Sequence, residues 1–288
     1  MKYITLSDLS NTIRENIWKI PRDIDYIIGI PRSGTICASI IASYLNVPLI
    51  DIDSFIHGLE PSGGLRLRYY KSLHKPSNKV LVIDDTVSSG RAMRETKNRL
   101  SGFNSMQFIY MCVYLEGRGA DAVDIYLEDV RKYTENFTID VLYEWNIFHH
   151  NEVLMDRCLY DIDGVLCLEP PDERKTEEYM EYIKNATPLF TPTPRIGGII
   201  TYRLIKNREV TEKWLHDNNI SYNELIMFNA NTWDERNKMG IPSEVYKGEY
   251  YKNNNKYRLF VESSDFQAKR IAEISSKPVY CVETNKLY

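Results

Sequence analysis

Short apolar runs in this chain repeatedly end in a polar turn and are followed by a helical pattern, and few folds accept that arrangement. Tyr26-Ile27-Ile28-Gly29-Ile30 runs into Pro31-Arg32-Ser33-Gly34 and then into the helix-like 35–45. Lys79 to Asp85 repeats the form, with a Val-Leu-Val-Ile strand, a polar turn and a helical stretch over 91–100. Phe108 to Leu115 reads as a further strand. Runs that are apolar at every position, rather than alternating, suit strands buried on both faces. Strand–turn–helix repeats of this kind predict parallel βαβ units, whose ligands bind at the carboxyl ends of the strands. Both polar turns fall at such ends.

A second series of the same kind begins at Cys158-Leu159-Tyr160. Strands are expected at 196–201, 224–228, 257–261 and 278–282, with helices over 206–218 and 266–275. The fold class is therefore α/β, with two α/β domains, each a mainly parallel sheet flanked by helices. We place the boundary within 148–157, where His149-His150-Asn151-Glu152-Val153 interrupts the strand pattern, giving domains 1–152 and 153–288. A chain of 288 residues with 43% hydrophobic content has the length and the core-forming residues for both. Glu144-Trp145-Asn146 and the two histidines beside this boundary are read as exposed or packing residues.

Composition narrows the function. Thirty-six basic residues against 40 acidic give a net charge of −4, which argues against a nucleic-acid partner. The five cysteines, Cys37, Cys112, Cys158, Cys167 and Cys281, have neither paired spacing nor an even count. No zinc site or disulfide framework is expected, and a reducing compartment is. No signal-peptide core or membrane-spanning run is apparent, which points to the cytoplasm.

Val80-Leu81-Val82-Ile83-Asp84-Asp85-Thr86-Val87-Ser88-Ser89-Gly90 is the informative stretch of the first half. Main-chain N–H groups of 86–90, with the hydroxyls of Thr86, Ser88 and Ser89, suit a phosphate at a helix N-terminus. Asp84 and Asp85 can accept hydrogen bonds from paired sugar hydroxyls. The stretch resembles the signature that binds 5-phosphoribosyl diphosphate (PRPP) in type I phosphoribosyltransferases, and 30-IPRSG-34 is similar to that family's pyrophosphate loop. The resemblance implies a PRPP site of Arg32, Ser33, Gly34, Asp84, Asp85, Thr86, Val87, Ser88, Ser89 and Gly90. Arg32 would fork onto the pyrophosphate, and Gly34 would permit close backbone approach. The irregular segment 51–76 has the place of the family's closing loop, with Arg66, Arg68, Lys71 and Lys75 as alternative cations for the pyrophosphate. Purine-salvage members usually carry an Asp near the position of Ser88, so the hydroxyl here points away from purine salvage.

Leu159-Tyr160-Asp161-Ile162-Asp163-Gly164-Val165-Leu166 gives the sharpest signal. Strand alternation puts two carboxylates on one side of a strand end, where the glycine allows a sharp turn. The stretch resembles the first motif of haloacid-dehalogenase-like phosphatases. That resemblance implies Asp161 as nucleophile, Asp163 as acid and base, Thr201 as the hydroxyl for a phosphoryl oxygen, and Lys247 as the cation, with Lys252 in reserve. It implies Mg²⁺ as cofactor, with Asp161, Asp163, Glu262 and Asp265 as candidate ligands, although Ser263 stands where an Asp is often found. The intervals Asp163–Thr201 and Thr201–Lys247 are too short for a substantial cap, so the fold expected is the open, capless form.

The two resemblances together are similar to two-domain ribofuranosyl-transferring proteins of bacterial polysaccharide synthesis. They imply transfer of 5-phosphoribose from PRPP to an acceptor, then hydrolysis of the 5-phosphate. The acceptor implied is a lipid-linked glycan hydroxyl at the inner face of the membrane, and the product a β-ribofuranoside. Two alternatives stand beside this: a nucleobase phosphoribosyltransferase coupled to a nucleotidase, and a PRPP-sensing domain that regulates a phosphatase.

Overall fold

The computed structural model describes residues 1–61, 64–65, 76–133, 141–172 and 176–288. Arg66, Arg68, Lys71 and Lys75 lie outside the described residues. The chain divides into two compact units, Met1–Trp145 and Asn146–Tyr288. The expected boundary at 152/153 falls at the start of the first helix of the second unit, Glu152–Met155.

In the first unit, β1 (Lys2–Ile4), α1 (Leu6–Glu15), β2 (Tyr26–Gly29), α2 (Gly34–Leu45), β3 (Leu49–Asp51) and α3 (Ile52–Ile56) precede β4 (Lys79–Val87). They are followed by α4 (Arg91–Leu100), β5 (Gln107–Leu115), β6 (Ile125–Asp129) and β7 (Val141–Tyr143). Five strands form a parallel sheet in the order β3-β2-β4-β5-β6, and β1 pairs in parallel with β7 separately.

The apolar run of β4 explains the layering. Leu81 and Ile83 face a core shared with Leu9 and Ile13 of α1 and Cys37 and Ile41 of α2. Val80 and Val82 face the opposite core, with Phe55 of α3 and Met93 and Leu100 of α4. Successive side chains point to opposite faces, so a strand that is apolar throughout needs cover on both. Each aliphatic side chain buried in this way contributes about 1.5–3 kcal/mol. Locally, α1 starts at a capping box between Thr5 and Asp8.

In the second unit, α5 (Glu152–Met155), β8 (Cys158–Tyr160), α6 (Thr176–Asn185), β9 (Gly198–Leu204), α7 (Arg208–Asp217) and β10 (Leu225–Phe228) come first. Then follow α8 (Trp233–Met239), α9 (Ser243–Asn253), β11 (Leu259–Glu262), α10 (Asp265–Ser275), β12 (Val279–Cys281) and β13 (Lys286–Leu287). The sheet order is β10-β9-β8-β11-β12-β13, parallel except for the β12–β13 pair. Leu159, Ile200, Phe260 and Val279 pack with Tyr251 of α9 and Ile271 of α10. No described helix is long and apolar enough to cross a membrane. All five cysteines are buried free thiols.

Candidate functional site

In the first sheet the chain steps from β2 outward to β3 and then back past β2 to β4, so the strand order reverses between β2 and β4. A crevice opens at the carboxyl ends of strands at such a reversal. The turn 31–34 leaves the end of β2 there, and the loop 88–90 leaves the end of β4. The Ile30 N–H donates to the Ile83 carbonyl at 2.9 Å. Gly34 opens α2 so close to β4 that a Cβ on it would stand 2.7 Å from the Ile83 oxygen and 3.0 Å from Asp84 Oδ1. Only glycine permits that approach. The Pro31–Arg32 peptide is cis; Arg32 is exposed and Ser33 half-buried.

Asp84 and Asp85 lie in β4 two residues before its end, with Thr86 and Val87 completing the strand. Asp85 is buried, and its N–H donates to Asp84 Oδ1 at 2.9 Å. Burial, then the neighbouring Asp85 charge, pushes the Asp84 carboxyl well above the ordinary carboxylate range. The Val87 side chain belongs to the core, so only its main chain can serve a ligand. Ser88 and Ser89 are exposed, and Gly90 turns the chain at φ 76° into α4.

Sequence reasoning missed what fastens this loop. The carbonyl of Val87 accepts from the N–H groups of Glu116 and Gly117 at 3.0 and 3.3 Å, and that of Ser88 from Gly119 at 2.8 Å. Side chains on Gly117 or Gly119 would meet main-chain atoms of Ser88 or Gly90 at 2.5 Å. The pair of glycines in Glu116-Gly117-Arg118-Gly119, just after a strand, was the available signal. Trp145, read from sequence only as an exposed or packing residue, donates from Nε1 to Asp85 Oδ2 at 2.5 Å.

The second sheet reverses between β8 and β11. Asp161 follows β8, its N–H donating to the Val261 carbonyl at 3.0 Å, and Glu262 ends β11. Lys247 lies one turn inside α9 rather than opening it. Its buried Nζ stands 2.6 Å from Asp161 Oδ2, 2.8 Å from Glu262 Oε2 and 3.2 Å from Gln267 Oε1. Lys252 is exposed and faces Glu249 at 3.8 Å. Burial lowers the affinity of Lys247 for its proton, but Asp161 and Glu262 more than offset this and hold it charged. Burial pushes the Asp161 carboxyl up against the pull of Lys247, and the Glu262 and Asp163 charges add to the rise.

Asp163 is held differently. Arg203 Nε lies 3.1 Å from both its oxygens, Arg203 Nη2 2.5 Å from Oδ1, and the Tyr182 hydroxyl of α6 donates to Oδ1 at 2.7 Å. Burial raises the Asp163 carboxyl, but the Arg203 charge and these donors bring it below the usual value. Arg203 is itself 1% exposed, and among the described residues its Nη1 has no hydrogen-bond partner. Neither Arg203 nor Tyr182 was anticipated.

Gly164 turns at φ 74°, where a side chain would strike Glu169 and Ser263. The Ser263 hydroxyl donates to Glu169 Oε1 at 2.9 Å.

Two expectations are corrected. Thr201 is not at a strand end: β9 runs on to Leu204, its register against β10 shifting between Met227 and Phe228, and the buried Thr201 Oγ1 accepts from the Arg203 N–H at 3.2 Å. Asp265 does not join Asp161 and Glu262. As the first residue of α10 it binds Lys269 at 2.6 Å, Thr284 at 3.3 Å and Tyr288.

Among the described residues, no group of three or more His, Cys, Asp or Glu side chains is arranged to hold a metal ion. Yet Asp161, Asp163 and Glu262 present three carboxylates against the two cations Lys247 and Arg203. The surplus negative charge and the hard oxygen donors of Asp161 and Glu262 fit Mg²⁺, which commonly takes one or two carboxylates beside phosphate oxygens and water.

The first unit is thus a doubly wound α/β domain with two glycine-dependent loops packed together at its switch point. Residues 4–147, half of the chain, match the phosphoribosyl transferase domain family, and the chain belongs to that family. It is 32% identical over 114 residues to a xanthine-guanine phosphoribosyltransferase of Chromohalobacter salexigens, covering 38% of this chain and 65% of that protein. It is 26% identical over 98 residues to an orotate phosphoribosyltransferase of Caenorhabditis elegans, covering 34% and 41%. The chain therefore spans less than two thirds of either relative. A solved purine phosphoribosyltransferase from Pyrococcus horikoshii aligns over 50% of this chain and 92% of its own at 18% identity, with a TM-score of 0.35.

Proposed function

We propose that the chain is a bifunctional enzyme, which transfers 5-phosphoribose from PRPP to an acceptor in its first unit and hydrolyses the 5-phosphate in its second. The observation that carries the transferase reading is the packing of Gly34 on the end of β4, which joins the turn 31–34 to the carboxylates of Asp84 and Asp85. In this reading the loop 86–90 holds the 5-phosphate, Asp84 and Asp85 accept from the ribose hydroxyls, and Arg32 takes the departing pyrophosphate.

In the second unit we assign Asp161 as nucleophile and Lys247 as the cation that holds it in line and balances charge. Glu262 fixes Lys247 from the other side. Asp163, gripped by Arg203 and Tyr182, would receive a proton from water in the hydrolytic half of the reaction. Asp161 and Glu262 would hold Mg²⁺, which when bound supplies charge neutralisation between carboxylate and phosphate.

The acceptor we propose is a glycan hydroxyl, carried on a lipid and met at the cytoplasmic face of a membrane, giving a β-ribofuranoside. A phosphatase fused to a salvage enzyme would undo its product, whereas ribose transfer needs the phosphate removed. The relatives favour a second reading, since their names specify xanthine-guanine and orotate as bases: a nucleobase transferase paired with a nucleotidase. Mass spectrometry of products from PRPP, Mg²⁺ and a panel of glycan and base acceptors separates the two. A ribosylated glycan supports the first and a nucleoside or nucleotide the second. PRPP binding without pyrophosphate release from any acceptor overturns both in favour of a sensor.

A further inference from the structure

Glu116 lies where the strand ends converge on the proposed transfer site, and the mechanism above gives it no task. Its N–H is bonded to Val87, so its backbone is fixed against the phosphate loop and beside the end of β4. It belongs to a cluster with Asp85, Tyr143 and Trp145. Trp145 is hydrogen-bonded to Asp85, and its ring lies 5.2 Å from that of Tyr143. The Tyr143 side chain is 1% exposed, and its hydroxyl has no hydrogen-bond partner among the described residues. Both Glu116 and Asp85 act electrostatically on that hydroxyl. A buried hydroxyl left without a partner costs free energy unless a ligand or water supplies one. Glu116 is thus part of a buried polar and aromatic cluster beside Asp85, against the loop that follows β4.

We propose that Glu116 is the base that accepts the proton of the acceptor hydroxyl during phosphoribosyl transfer. This rests on the transferase reading of the first unit. The acceptor oxygen forms a bond to the anomeric carbon of PRPP, the bond from that carbon to the pyrophosphate oxygen breaks, and pyrophosphate leaves with the electron pair. The acceptor proton passes to the Glu116 carboxylate. Burial, and then the Asp85 charge, push the Glu116 carboxyl up to about 7, which makes it a stronger base than an ordinary carboxylate while leaving it partly ionised near neutrality. A neutral hydroxyl needs such a base; a nucleophile that is already an anion does not. The site is therefore fitted to acceptors that give up a proton on transfer, a hydroxyl among them.

The test uses the full-length protein, PRPP and Mg²⁺, with methanol as the hydroxyl probe and azide as an anionic probe that carries no proton. In Glu116→Gln and Glu116→Ala, PRPP affinity is expected within about threefold of wild type. Methanol-dependent pyrophosphate release is expected to fall at least about a hundredfold. Azide-dependent release persists in Glu116→Ala, and the product has the mass of 1-azido-ribose, or of 1-azido-ribose 5-phosphate when Asp161→Asn is combined with it. Glu116→Asp recovers part of the methanol reaction. Equal loss with both nucleophiles, or no loss with either, overturns the assignment of Glu116 and leaves the transferase reading standing. Wild-type protein that binds PRPP but releases no pyrophosphate with either probe overturns both.

Discussion

The indole nitrogen of Trp145 donates a hydrogen bond to Asp85 Oδ2 at 2.5 Å, joining the last residue of the first unit to a carboxylate at the end of its central strand. Asp85 is 3% exposed, so the indole supplies a partner where water has little access. It leaves Oδ1 as the oxygen that the proposed ribose contact would use.

Trp145→Phe keeps an aromatic ring but removes this donor. Leaving a buried carboxylate oxygen unpaired costs about 1–3 kcal/mol, and a reoriented Asp85 would weaken the proposed ribose contact. We expect PRPP affinity to fall about tenfold by calorimetric titration, with a lower melting temperature. Unchanged affinity would remove Asp85 from the ribose contact.

Gly34→Ala tests whether the two loops must touch. Its Cβ would meet the Ile83 carbonyl at 2.7 Å, an atom held in the sheet. We expect about 1–3 kcal/mol of destabilisation and loss of PRPP binding in titrations. Retention of both would mean that the turn 31–34 can withdraw from β4 without consequence.

Much of this arrangement was legible in the sequence because it is local. The unbroken apolar run at 80–83 demanded a strand covered on both faces, and the glycines at 34 and 90 marked turns beside it. Lys247 was named only through the resemblance, as the start of a helical stretch, whereas it lies one turn inside α9. The contacts that hold the carboxylates were not legible, because they join residues remote in the chain. Trp145 reaches Asp85, Arg203 reaches Asp163, and no periodicity records either pairing. Asp265 failed for a related reason: it follows a strand, where the resemblance implied a metal ligand, but the residues Thr284 and Tyr288 and its helix neighbour Lys269 claim its carboxylate.

Glu116 carries a pH signature. Its folded-state carboxyl stands at about 7 against an ordinary value of 4.5, so folding favours the protonated form. The penalty is absent below the unfolded value, grows as pH rises from 4.5 toward 7, and is constant above. Glu116→Gln should therefore stabilise the protein at pH 8 by up to about 3 kcal/mol, with little change at pH 4.5. Denaturant titrations at the two pH values measure this, and equal effects at both would contradict the burial of this charge.

Lys247→Met leaves Asp161 and Glu262 buried without their shared cation. Breaking a buried ion pair from one side costs about 3–5 kcal/mol. We expect phosphate release to vanish and the second unit to unfold at lower denaturant, while PRPP titration remains as in wild type. Normal phosphate release from this variant would exclude Lys247 from the reaction.

The central claim is that phosphoribosyl transfer precedes removal of the phosphate. The direct measurement is the mass of the acceptor product made from PRPP by the Asp161→Asn protein, beside that made by wild type. The account predicts that the variant accumulates an acceptor bearing ribose plus one phosphoryl group, while wild type yields the acceptor bearing ribose alone. Recovery of plain ribosylated acceptor from the variant, with no phosphorylated intermediate, would contradict it.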